Sequence, residues 1–233
     1  MSGAIRVMLV DDQALVRTGF RMILEDEPGI EVVGEAADGR AGVEGAERLH
    51  PDVVVMDIRM PILDGIEATR RIVRDGAAPN ARVLILTTFD ADENVVEALR
   101  AGASGFLLKD VTPADFVVAI KTIAAGDALL APAVTRRLLD RYADRLPPVN
   151  DERNAALRDL TEREIEVLKL VGRGLSNREI AERLVLAEPT VKTHISHVFD
   201  KLDLRDRAQA VVLAYEAGLV RPGEVVDVGD TTG

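Results

Sequence analysis

Six polar positions in the first half of the chain lie at the ends of four short β-branched runs. Asp11-Asp12 follow Ile5–Val10, Asp57 follows Val53–Met56, Thr87-Thr88 follow Val83–Leu86, and Lys109 follows Gly105–Leu108. If these runs are neighbouring parallel strands, their carboxyl ends converge where such sheets bind ligands. Three carboxylates would then point at one place, and like charges that close repel unless a cation sits among them. A ligand set of oxygens alone, with no His or Cys, suits a hard ion such as Mg²⁺. Lys109 and the Thr87 hydroxyl could hold an anion beside that metal. Together the groups suit a phosphoryl transfer to a carboxylate, with Asp57 as nucleophile.

Positioning these groups requires an alternation of strands and helices, and residues 1–126 have one. A further apolar run at Glu31–Val33 makes five candidate strands. Between them, helical spacing covers Leu15–Leu24, Arg40–Leu49, Gly65–Arg74, Glu93–Ala101 and Pro113–Ala125. Near-continuously apolar strands separated by helices imply a parallel sheet covered on both faces. Five such units predict a doubly wound α/β domain with strand order 2-1-3-4-5.

These segments resemble the receiver domain of response regulators along residues 5–125. The similarity rests on Val10-Asp11-Asp12, Met56 to Gly65 (MDIRMPILDG), Leu86 to Asp90 (LTTFD) and Gly105 to Asp110 (GFLLKD). The resemblance implies that Asp57 takes phosphate from a sensor histidine kinase. It also implies that Asp12, Asp57 and the Arg59 carbonyl hold Mg²⁺, with Asp11 assisting through water. Lys109 and Thr87 would bind the phosphoryl oxygens, and Thr87 movement coupled to Phe106 would be the switch. Some receivers place proline directly after the lysine; here Asp110 follows and the proline is Pro113. A phosphatase of the haloacid-dehalogenase type would want a second carboxylate two residues after the nucleophile, where this chain has Arg59. A flavin-binding domain of the same topology would want a phosphate loop where Asp11-Asp12 would repel it.

Composition sets the outer limits. The chain has 233 residues, enough for two ordinary domains, and no cysteine, which excludes disulfides and thiol catalysis. No apolar run approaches the ~20 residues of a membrane helix, and the first run lacks the pattern of a signal peptide. The expectation is a soluble, cytoplasmic protein with no membrane partner. The net charge of −11 argues on its face against nucleic acid. Residues 1–126 hold most of that excess, with 13 basic and 21 acidic groups, whereas residues 159–220 hold 9 and 11. The second half is therefore near neutral but not basic, so DNA binding there must use a local patch, in more than one copy.

Residues 127–158 read as a linker, with an arginine-rich helix candidate at Val134–Ala143 ended by Leu146-Pro147-Pro148. From Leu160 the pattern is helical throughout. Thr161 with Glu164, and Ser176 with Glu179, form two capping boxes. Gly172-Arg173-Gly174 ends the helix between them. The expected helices are Glu162–Arg173, Asn177–Leu184, a third to Leu202, and Arg207–Ala217. Residues 221–233 read as a frayed tail. Short helices, tight turns and then a longer helix are helix-turn-helix geometry. On the third helix Val191, Ile195, Val198 and Leu202, with Phe199, form a core stripe. Its opposite face carries Thr193, Ser196, His197 and Asp200, flanked by Lys192; the short hydroxyls and the lysine are groups suited to base edges in a major groove. Asn177, Arg178, Lys201, Arg205 and Arg207 are the candidate phosphate contacts.

Residues 159–220 resemble the LuxR-type helix-turn-helix, including Thr190 to His194 (TVKTH) and Lys201-Leu202. With the receiver, the order of parts is similar to response regulators of the NarL/FixJ type. The resemblance implies a phosphorylation-gated transcription factor whose third helix enters double-stranded DNA and whose last helix forms a homodimer contact. It implies no enzyme beyond self-phosphorylation and slow dephosphorylation. The family usually has serine where this chain has Ala187, and losing such a cap costs about 0.5–2 kcal/mol. Glu188 and Pro189 suit the first turn and offset part of this. The acidic balance leaves one alternative, a phosphorylation-dependent protein-interaction module whose helical half does not bind DNA.

Overall fold

Strand and helix alternate as the periodicity predicts. The computed structural model describes residues 3–87, 92–126 and 157–220. The expected helix at Val134–Ala143, most of the linker, the tail, and the Thr88 to Asp90 part of one motif lie outside the described residues. The chain divides into two compact units, with the main division between Leu129 and Leu130.

The first unit runs β1 (Ile5–Val10), α1 (Ala14–Glu25), β2 (Ile30–Ala36), α2 (Gly39–Leu49), β3 (Val53–Asp57) and α3 (Gly65–Val73). It continues through β4 (Arg82–Thr87), α4 (Asp92–Ala101), β5 (Gly105–Leu108) and α5 (Pro113–Ala124). The sheet is parallel in the order β2-β1-β3-β4-β5. Alternation along each strand feeds two cores. Met8, Val10, Val54, Met56 and Ile85 pack with Ala46, Ala68, Ile72 and Ala98 of α2, α3 and α4. Val7, Leu9, Val53, Val55, Leu84 and Leu86 face the other way, onto Phe20 and Leu24 of α1 and Phe116, Ile120 and Ile123 of α5. Phe20 and Phe116 stack with ring centroids 4.4 Å apart. Central β3 is buried at every residue, which explains its unbroken apolar sequence.

One element is longer than its apolar run predicts. β2 continues past Val33 through Gly34 and Glu35 to Ala36. Its pairing with β1 shifts between Val7 and Met8, leaving Val33 as an extra residue. Tertiary contacts sustain the extension: Glu35 pairs with Arg17 at 3.2 Å and with Arg21, both on α1. A Cβ at Gly34 would sit 2.5 Å from the Leu49 Cδ1, so a larger residue here would have to displace the end of that side chain.

The turn after β3 is the tightest approach near the acidic cluster. The Gly65 N–H donates to the Ile58 carbonyl at 2.9 Å, and a Cβ at Gly65 would lie 1.9 Å from the Asp57 carbonyl oxygen. The obstacle is backbone and cannot rotate away.

Among its described residues the second unit is all helical: a 3₁₀ turn at Leu157–Asp159, then α6 (Glu162–Gly172), α7 (Asn177–Leu184), α8 (Glu188–Leu202) and α9 (Arg207–Glu216). Both capping boxes form as expected, at Thr161/Glu164 and Ser176/Glu179. Val191, Ile195 and Val198 of α8 pack onto Val167, Leu168 and Val171 of α6 and Ile180 of α7, with Phe199 and Leu202 at the margin. No side chain caps α8 at Ala187; Glu188 and Pro189 occupy its first turn.

Gly65→Ala is expected to destabilise the first unit by about 3 kcal/mol, the cost of overpacking against an immovable partner. Urea unfolding followed by circular dichroism tests this, and a midpoint equal to wild type would show that the turn can open without cost.

Candidate functional site

The carboxyl ends of β1, β3, β4 and β5 bring the expected residues to one edge of the sheet. Asp11 and Asp57 are each 5% exposed, and Asp12 is exposed. One carboxylate oxygen from each of Asp11, Asp12 and Asp57 lies within 4.8 Å of the others. Lys109 reaches in from beyond β5. Its Nζ stands 2.7 Å from Asp11 Oδ2 and 3.1 Å from Asp57 Oδ2. The Lys109 N–H donates to the Thr87 carbonyl at 2.8 Å, which fixes the lysine against the end of β4. Thr87 itself is buried. Phe106, half-buried, lies opposite Ile85 in the β4–β5 register and packs on the α2–α4 side of the sheet.

Asp11 serves two purposes. Its Oδ1 accepts from the Gln13 N–H at 2.8 Å, a local turn that starts α1. Its Oδ2 lies 2.7 Å from the Lys109 ammonium. Arg17 donates to the Asp11 carbonyl at 2.6 Å and so pins the end of β1 from α1. Sequence reasoning missed Arg17. Its position one and a half turns after the aspartate is visible, but nothing in the spacing marks its guanidinium as turned inward.

Electrostatics follow from this packing. Burial pushes the Asp57 carboxyl above the ordinary aspartate value, Lys109 opposes the rise, and the Asp11 charge adds to it. Burial works against the Lys109 ammonium, but the Asp11 hydrogen bond and the Asp57 charge outweigh it, so its pKa is raised. The lysine is therefore charged and shared, while the carboxylates remain in excess over it. A donor set of oxygens alone, with three carboxylates to one ammonium, fits a hard divalent cation. Asp12 of the cluster, with Ile58, Arg59, Met60, Asp64 and Glu97, lines part of an open depression of about 810 Å³.

On the helical unit, Lys192, Thr193, Ser196 and His197 are exposed on α8 as expected. The Thr193 hydroxyl donates back to the Pro189 carbonyl at 3.1 Å. Arg178 is exposed and pairs with Glu182 at 3.0 Å. Asn177 is the first residue of α7; Arg205 and Arg207 bracket the start of α9. Lys201 differs from the rest. Its Nζ lies 2.7 Å from Glu164 Oε2, a buried carboxylate of α6. The Lys201 hydrogen bond and the Thr161 backbone N–H hold the Glu164 carboxyl down at about 2. Sequence reasoning assigned Glu164 to a cap and Lys201 to phosphate, and did not see that they meet.

Comparisons with known proteins agree with this geometry. Residues 7–121 match the model of the response regulator receiver domain, and residues 158–214 match that of bacterial regulatory proteins of the luxR family. The chain belongs to the response regulators that join these two domains. It is 41% identical to the transcriptional regulatory protein LnrK of Bacillus subtilis (strain 168), over 92% of this chain and 98% of that protein. It is similar to the crystal structure of response regulator ChrA of a heme-sensing two-component system, with TM-score 0.51, 39% identity, and coverage of 94% of this chain and 100% of that one. It is also similar to RcsB in a structure of two dimers bound to two parallel DNAs, with TM-score 0.52, 25% identity, and coverage of 94% and 100%. The chain is thus a phospho-regulated, DNA-binding transcriptional regulator. The luxR-family match over the helical half speaks against the reading of that half as a protein-interaction module. Among the described residues no helix is long and apolar enough to cross a membrane.

Two pH responses follow. Because the folded Asp57 binds its proton more readily than the unfolded one, stability falls as pH rises from the ordinary value of 3.8 through the raised pKa. Asp57→Asn is therefore expected to raise the urea midpoint at pH 7, with a smaller gain below pH 3.8; an unchanged midpoint at pH 7 counts against a desolvated carboxylate. Glu164 has the opposite sign. Its contribution is full above 4.5 and is lost as pH falls toward about 2. Acid unfolding of the helical unit should lose much of its steepness in that window in Glu164→Gln, read by circular dichroism.

Proposed function

We propose that Asp57 is the phosphoacceptor of this regulator and that a sensor histidine kinase is the donor. The carboxylate oxygen attacks phosphorus, the bond to the donor nitrogen breaks, and the imidazole leaves as the neutral ring after taking up a proton. The observation that carries this reading is the Lys109 ammonium, 3.1 Å from Asp57 and 2.7 Å from Asp11. A cation held there faces the oxygens that a phosphoryl group on Asp57 would present. Asp12, Asp57 and the Arg59 carbonyl would hold Mg²⁺, with Asp11 acting through water; the ion supplies neutralisation of phosphoryl charge. Thr87, buried at the end of β4, contributes its hydroxyl to the phosphoryl group, and its shift couples to Phe106. The receiver occupies residues 1–126, a linker 127–158, the DNA-binding domain 159–220 and a tail 221–233. The protein acts in the cytoplasm and catalyses nothing beyond its own phosphorylation and dephosphorylation.

Phosphorylation shifts an existing equilibrium toward dimers. Lys192, Thr193 and Ser196, with His197 beside them, read base edges, and Asn177, Arg178, Arg205 and Arg207 contact phosphates. The helical domain carries 9 basic and 11 acidic groups, so one copy has little attraction for a polyanion. Two copies double the phosphate contacts and the released counterions, which is why binding should depend on the dimer.

Mg²⁺ with a small-molecule phosphodonor should add one phosphoryl group by intact mass, and none to Asp57→Asn. The phosphorylated protein should then retain duplexes from a random DNA library, with affinity falling steeply with salt. An equal mass gain in Asp57→Asn would move the acceptor elsewhere. Absence of duplex binding at low salt would remove the DNA role from the helical unit.

A further inference from the structure

Lys201 sits on α8, the helix that presents the base-reading groups, yet its ammonium is turned toward α6. Glu164 Oε2 accepts three hydrogen bonds: from the Thr161 N–H at 2.7 Å, from the Thr161 hydroxyl at 2.9 Å and from Lys201 Nζ at 2.7 Å. The carboxylate is buried and the lysine that reaches it is exposed, so the ion pair is partly screened by water while the carboxylate keeps its fixed partners. The adjacent residue of α6 does similar work on the other helix of the motif. Arg163 donates to the carbonyl of Leu184, the last residue of α7, at 2.9 Å. Two consecutive side chains of α6 thus hold the end of α7 and the last turn of α8.

The opposite end of α8 lacks a fastening of this kind. Ala187 provides no side-chain cap, and the residue before that turn, Val185, holds a left-handed backbone that costs a β-branched side chain energy. The angle of α8 is therefore set by its buried apolar stripe and by the ion pair at its C-terminal end.

We propose that Lys201 is a positioning residue for DNA reading, acting through Glu164 to fix the pitch of the recognition helix rather than by touching a phosphate. The inference rests on the DNA-binding reading above and reassigns one of its residues. It matters for specificity more than for attraction. Base contacts depend on where Lys192, Thr193 and Ser196 stand to within a fraction of an ångström, whereas phosphate attraction tolerates a tilt.

Two single substitutions in the full-length phosphorylated protein separate the possibilities. Lys201→Met removes the cation. Glu164→Gln removes the negative charge but keeps a residue that completes a capping box. The probes are the tightest duplex recovered from a random library and a random-sequence duplex of equal length. Positioning predicts that both variants lose about tenfold in the ratio of selected to random affinity, the scale of one lost base contact. It predicts that the double variant loses no more than either single one. It also predicts that the salt slope of Lys201→Met stays at the wild-type value. A phosphate contact predicts otherwise: Lys201→Met would weaken both duplexes alike and lower the slope by about 0.9, while Glu164→Gln would free the lysine and tighten binding. That pattern overturns the proposal. Amide exchange across Val191–Ser196, measured without DNA, gives a second readout. It should quicken in both variants; wild-type exchange in Lys201→Met would also overturn the proposal. Wild-type protein that binds no duplex would instead refute the DNA reading, and the exchange data would still decide the clamp.

Discussion

Two carboxylates and an ammonium share a site that water barely enters, and the receiver domain is arranged around that fact. Asp11 and Asp57 are buried at the ends of adjacent strands, where the Asp11 charge makes ionisation of Asp57 harder. Lys109 lies within reach of both, so one positive charge is divided between two negative ones. The remaining excess is what makes the site receptive to a divalent cation. Removing the lysine would leave a buried, uncompensated pair, the costly way to break a buried ion pair. The sheet order follows as a requirement: β3 must be central, with β1 on one side and β4 and β5 on the other, for the four strand ends to meet.

The surrounding backbone keeps that geometry by close approach. Gly65 lets α3 begin against the Asp57 carbonyl, and the Lys109 N–H joins the end of β4 to the residue after β5. Arg17 holds the Asp11 carbonyl and at the same time pairs with Glu35, so α1, β1 and β2 are tied at one corner. Events at Asp57 therefore bear on several elements. A change at Thr87 bears on β4 and β5 together, and Phe106 lies opposite Ile85 in that same pair.

Much of this was legible because two periods are hard to confuse. Met8 and Val10 against Val7 and Leu9 announce a strand buried on both faces, and that pattern repeats through the sheet. The site was legible for the same reason: strand ends fix direction, so Asp57 and Lys109 could be aimed before any coordinates existed. Long-range pairing of flexible side chains was not. β2 outran its apolar run because Glu35 finds arginines on α1, and no local pattern encodes that partner. Lys201 looked like a surface charge, since the carboxylate that takes it lies 37 positions earlier and already had a visible role in a cap.

The two lysines show how the same pairing serves different ends. Lys109 stands between two carboxylates, so it can turn toward an arriving anion while keeping contact with one of them. Lys201 meets one carboxylate, itself fastened to the Thr161 backbone and hydroxyl, so letting go would leave a buried charge with its cap and, at 3.9 Å, the His197 ring. The first arrangement is exchangeable and suits a switch. The second is committed and suits a hinge that must not move when the helix meets its target. What distinguishes them is neither residue type nor distance, which is 2.7 Å for the closer contact in both cases. It is how many alternative partners each charge has within reach.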